Sequence, residues 1–128
     1  MSRRVTVLVL LILALLPLAA HAHDYSTSSP NPTNCNDQRF CVYVYDNYGT
    51  GDLGGVLSYS SVEVDLWAEP WRDSDNSAFN DWNANAVRAY EGSNQTGGWY
   101  CLSANGGNQN LPFHHDNQGD SHIVLTNC

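Results

Sequence analysis

Apolar residues in this chain come in short runs separated by polar turns, and no window carries a sustained helical stripe. From Arg39 onward Phe40, Val42 and Val44 alternate with Cys41, Tyr43 and Tyr45, a β-branched and aromatic texture that predicts a strand. The turn-forming stretch Asp46-Asn47-Tyr48-Gly49-Thr50-Gly51 ends it. Further strands are expected at Val56–Tyr59, Val62–Trp67, Ala86–Tyr90, Trp99–Ser103 and His122–Thr126. Ala68–Asn80, with Pro70 and several Asp, Asn and Ser residues, is expected to be a loop. Half a dozen short strands punctuated by Gly, Asn and Ser predict a single all-β domain, a sandwich or small barrel.

The first residues follow a different pattern. Arg3 and Arg4 precede a nearly uninterrupted apolar run from Val5 to Leu18, which ends at the small-x-small site Ala20-His21-Ala22. Charge, length and cleavage chemistry are those of a signal peptide, and Pro17 and the short span argue against a bilayer-crossing helix. Residues 1–22 are therefore expected to be removed, leaving a secreted, extracellular product. Residues 23–34, HDYSTSSPNPTN, have the composition of a flexible leader, and residues 35–128 form the domain.

Cleavage also changes the charge. The chain has 5 Lys+Arg and 13 Asp+Glu, and losing Arg3 and Arg4 leaves 3 against 13, a net −10. Arg39, Arg72 and Arg88 are the remaining cations. Such a surface repels nucleic-acid phosphates and anionic membranes, so neither is an expected partner. Cations, neutral sugars or a basic patch on another protein remain, and the product is expected to act as a monomer.

Cys35, Cys41, Cys101 and Cys128 all lie in the exported part, an even number that reads as two disulfides with three possible connectivities. The five-residue gap suits a local Cys35–Cys41 clip, which leaves Cys101 to hold Cys128. Zinc spacing is absent from this set. His114, His115 and His122 lie near Asp116, but adjacent histidines on extended backbone face opposite ways and seldom share an ion. No serine sits in a Gly-x-Ser-x-Gly turn, no cysteine is left over, and catalysis is not expected.

Two segments, Asn80-Asp81-Trp82-Asn83-Ala84-Asn85-Ala86-Val87 and Asp116-Asn117-Gln118-Gly119-Asp120-Ser121-His122-Ile123, resemble the calcium signature of βγ-crystallin Greek keys. Tyr43 and Tyr48 have the aromatic spacing of that fold's folded hairpin; in the segment from Tyr90 to Gly97, Gln95 takes the second aromatic place. Cys35-x5-Cys41 followed by Val42-Tyr43 is similar to the opening of secreted bacterial peptidase inhibitors of this fold, the Streptomyces metalloproteinase inhibitor type. The resemblance implies a disulfide-stapled βγ-crystallin-like sandwich of two Greek keys that binds an extracellular protease. It implies calcium ligation by Asp81, Asn117, Asp120 and Ser121, with Ala84 lacking a ligand atom where the first signature needs one. The second key opens either at Val87-Arg88-Ala89-Tyr90 or at Tyr100-Cys101-Leu102. The symmetry of the two signatures favours the latter.

The inhibitory bond of that family lies in a second short disulfide loop, which this chain lacks. An exposed loop over residues 67–79 is the expected substitute, with Trp67 and Trp71 as anchors, although both indoles equally suit a role capping the core. The alternative functions are a calcium-binding structural or carbohydrate-binding module and a secreted toxin or antimicrobial protein.

Overall fold

The computed structural model describes residues 22–25 as backbone, and residues 32–50 and 56–128 in full. The expected signal peptide up to His21 lies outside the described residues. Among the described residues nine strands form: β1 (Ala22–Tyr25), β2 (Phe40–Tyr43), β3 (Leu57–Tyr59), β4 (Glu63–Val64), β5 (Ser77–Asn80), β6 (Ala86–Gly92), β7 (Thr96–Leu102), β8 (Gly106–Asn108) and β9 (Ser121–Leu125). One sheet has the order β3-β2-β5-β8 and the other β1-β7-β6-β9-β4. β1, which begins at the last residue before the expected cleavage point, pairs in parallel with β7, and the other strand pairs are antiparallel. Among the described residues no helix is long and apolar enough to cross a membrane.

β2 to β5 make the first Greek key and β6 to β9 the second, and each key lends its third strand to the other's sheet. This corrects two sequence expectations. The second key opens at β6, the Val87 register, and not at Tyr100, which belongs to β7. The expected loop Ala68–Asn80 ends in strand β5. Ser77-Ala78-Phe79-Asn80 lacks β-branched residues, yet all four are buried because β5 lies between β2 and β8. β8 is equally illegible in sequence. A Cβ on its Gly107 would meet the Tyr48 hydroxyl and the Phe79 ring, so only glycine lets this strand approach.

Alternation along β2 explains the core. Phe40 and Val42 face the other sheet and pack with Trp67, Val87, Tyr100 and Leu102. Cys41 and Tyr43 point the other way, where Cys35, Tyr48 and Phe79 cover them in a second cluster. The Cys35–Cys41 disulfide is part of that cover, and Cys101–Cys128 ties the last residue to β7. Both pairings match the expected connectivity.

The two keys are closed by the same device. Ser77 Oγ donates to Tyr45 O at 2.6 Å and accepts from Tyr48 N–H at 3.1 Å; Ser121 Oγ donates to Gly92 O at 2.6 Å and accepts from Gln95 N–H at 3.1 Å. Each serine starts the last strand of its key and pins the first hairpin, whose Asn47-Tyr48 or Asn94-Gln95 pair has positive φ. The Tyr43 and Tyr48 rings, 5.2 Å apart, stack over the first of these hairpins. Ser77→Ala and Ser121→Ala are each expected to lower stability by about 1–3 kcal/mol, because a hairpin N–H and C=O lose their partner together. Urea unfolding of both variants checks this, and two losses below a few tenths of a kcal/mol would show that the hairpins hold without the serines.

Candidate functional site

The connection between β8 and β9, residues 109–120, is fastened along its length. Asn47 N–H donates to Gln109 O at 2.7 Å, and Leu111 N–H to Asn76 O at 2.9 Å. Pro112 O accepts from His115 N–H and Asp116 N–H at 2.7 and 3.0 Å, making one tight turn. Asn117 N–H donates to Asp75 O at 2.9 Å, and the symmetric bond runs from Asp73 N–H to Gly119 O at 3.0 Å. Gln118 and Gly119 N–H donate to Asp75 Oδ1 at 3.0 and 2.7 Å, and Tyr100 Oη donates to Asp75 Oδ2 at 3.0 Å.

Asp75 is thus a wholly buried carboxyl at the centre of the loop's base. Burial pushes its pKa up to about 7, against the opposing pull of the hydrogen bonds it accepts. A second buried ionisable group is His122, whose pKa burial pushes down to about 4. Its Nδ1 accepts from Trp67 Nε1–H at 3.0 Å, leaving Nε2 to face Ser61 O at 3.4 Å.

Between buried Leu111 and buried His115 stands Phe113, 94 % exposed. The His115 ring lies 5.7 Å from Tyr100, and its Nδ1 is 3.2 Å from Glu91 Oε1, so the turn is wedged against β6 and β7. Glu91 Oε2 accepts in turn from Gly98 N–H at 3.1 Å. Beside Phe113 an open cleft of about 410 Å³ is lined by Glu91, His114, Asp116, Asn117 and Gln118. Asp116 is raised by burial and by the nearby Asp46 carboxylate.

The residues expected from sequence fall in three places. Trp67 is 1 % exposed and packs against Phe40 at 5.9 Å, so it is a core residue and not a loop anchor. Trp71 is half-buried against the same core. Asp81 lies at the end of β5 beside the clip, exchanging backbone hydrogen bonds with Gln38 and Arg39, whereas residues 73–77 are the segment that meets 116–121. The expected calcium set therefore does not converge. Asp120 Oδ1 is engaged by Arg72 Nε at 3.3 Å, while Ser121 Oγ is spent on the hairpin. Among the described residues no three His, Cys, Asp or Glu side chains could hold a metal ion, and these positions do not fit a calcium cage. Added calcium is expected to leave the melting midpoint unchanged, and a rise growing with calcium concentration would overturn that.

The family model for peptidase inhibitor family I36 matches residues 28–102. The chain belongs to this family. Solved structures give the same fold. One from work on the evolution of the eye lens βγ-crystallin domain fold has TM-score 0.59 at 16 % identity, covering 78 % of this chain and 94 % of its own. A βγ-crystallin from an archaeon has TM-score 0.56 at 21 % identity, covering 70 % and 100 %. A double mutant of a βγ-crystallin domain from Clostridium beijerinckii has 0.55 at 17 %, covering 69 % and 97 %. No curated protein matches the chain significantly. This inhibitor-family chain is a non-enzymatic βγ-crystallin-fold protein, as its sequence resemblance implied. Phe113 and Asp75 escaped sequence reading. The signal that could have found Asp75 is the shared interval of four from Asp73 to Ser77 and from Asn117 to Ser121, which places Asp75 inside the first of two matching segments.

Proposed function

We propose that this protein is secreted and inhibits an extracellular protease by binding it as a folded domain. The observation that carries the reading is the family match over residues 28–102. The two disulfides support an oxidising destination, as does the signal-like segment that precedes the domain. The doubly stapled sandwich also supports binding as such, because a loop held rigid before association loses little entropy on docking. Calcium-dependent and carbohydrate-binding readings gain no comparable observation.

The experiment is titration of the purified exported protein against metallo- and serine proteases, using slow peptide substrates. Near-stoichiometric loss of activity for at least one class is the expected result. Absence of inhibition at micromolar concentration across both classes would overturn the reading. Cleavage of the protein without inhibition would overturn it too.

A further inference from the structure

The described residues expose four large apolar side chains, Tyr45, Val62, Leu66 and Phe113. Val62 and Leu66 flank the two-residue strand β4, and Tyr45 sits on the first hairpin with its hydroxyl in reach of water. Phe113 differs from them in three respects. It is the largest wholly apolar side chain and the most exposed; its backbone is locked on both sides by buried neighbours; and it stands beside a cleft that carries carboxylates. Exposing a phenyl ring on a mobile loop costs little. Holding one outward on a turn tied down by Asp75, Pro112 O and the His115–Glu91 contact is the arrangement of an aromatic anchor.

The cleft adds a charge requirement. Glu91 and Asp116 line it, and Asp116 Oδ1 is buried without a hydrogen-bond partner among the described residues. An unpaired buried carboxylate oxygen is costly until a donor reaches it. A lysine or arginine supplied by a partner satisfies both carboxylates and sits within cation–π range of an adjacent phenyl ring.

We propose that residues 109–119 are the protease-contacting loop, with Phe113 entering an apolar specificity pocket and the Glu91–Asp116 cleft receiving a basic side chain at that pocket's rim. The proposal rests on the inhibitor reading above and names the surface that performs it. It places the contact outside the span matched by the family model, which ends at residue 102.

The test uses the full exported protein against thermolysin and chymotrypsin, whose pockets take large apolar side chains, with trypsin as the counter-probe. Phe113→Ala is expected to weaken inhibition by roughly 30-fold or more, the loss typical of a truncated anchor. Phe113→Leu should retain most of the affinity and Phe113→Asp should lose it. All three variants should melt with the parent, because the side chain is in solvent. Asp116→Asn should slow association several-fold at low salt and flatten the salt dependence. Val62→Ser and Leu66→Ser should stay within about two-fold of the parent. Parent-like inhibition by Phe113→Ala and Phe113→Asp, in a protein that does inhibit, overturns the loop assignment and leaves the inhibitor reading standing. A parent that inhibits trypsin alone also overturns it. A parent that inhibits nothing overturns both.

Discussion

Replacing Asp75 by alanine is expected to lower stability by about 3–5 kcal/mol, since two buried donors and one part-buried donor lose one shared carboxyl acceptor. The donors are Gln118 N–H, Gly119 N–H and Tyr100 Oη–H, and no water-exposed route replaces the carboxyl at a position that is 0 % exposed. With a urea slope of 1–3 kcal/mol/M for a small domain, the midpoint should fall by roughly 2 M. Asp75→Asn is the informative companion. It keeps an acceptor for the two backbone N–H groups and is neutral at every pH, so its loss should be smaller and its pH profile different.

The sign of that difference follows from two opposed shifts. Asp75 has a folded pKa of about 7 against an ordinary 3.8, so its contribution is fully present below 3.8 and is lost as pH rises through 7, about 4 kcal/mol in all. His122 has a folded pKa of about 4 against 6.5, so its contribution is present above 6.5 and is lost as pH falls through 4, about 3 kcal/mol in all. Between pH 4 and 6.5 the native protein holds Asp75's proton while the unfolded chain holds His122's. The two slopes cancel. Asp73 and Asp116, also raised by burial, add to the Asp75 direction. Wild-type stability should therefore be nearly flat across this window, with any residual tilt falling toward high pH. Asp75→Asn should uncover a decline toward low pH, and His122→Gln a decline toward high pH. Parallel profiles for the three proteins would show that neither group titrates with the shift its burial implies.

Trp67→Ala is expected to cost about 3–5 kcal/mol by leaving an indole-sized cavity between the sheets. Phe40 at 5.9 Å loses its neighbour, and His122 Nδ1 loses the indole donor that keeps it satisfied while neutral. Trp67→Phe should recover much of the packing and none of the hydrogen bond. Its remaining loss should shrink as pH falls, because a folded His122 without that donor protonates more readily and so gives up less stability on acidification than the parent's does. Inhibition measured at a temperature where Trp67→Phe stays folded should match the parent. A selective loss of inhibition in that folded variant would return Trp67 to the contact surface.

The clip and the β2 alternation were legible because they depend on local chemistry: spacing of cysteines and a period of two. β5 was not, since three of its four residues, Ser77, Ala78 and Asn80, are small or polar and become a central strand only through partners on both sides. The calcium-like segment at Asn80–Val87 imitated a pattern that tertiary pairing assigns to residues 72–77, where Arg72 already meets Asp120. Trp67 could sit in an exposed loop or in the core on composition alone, and only the closing of two sheets over Phe40 decided it. By itself, then, the order of residues determined a β domain, its two staples, its acidic charge and its family resemblance. Which key each strand joins, which indole is buried, and which phenyl is held in water were decided by the packing of the two keys against each other. Those choices turn on long-range burial, and a side chain's neighbours across a sandwich leave no local trace in the chain.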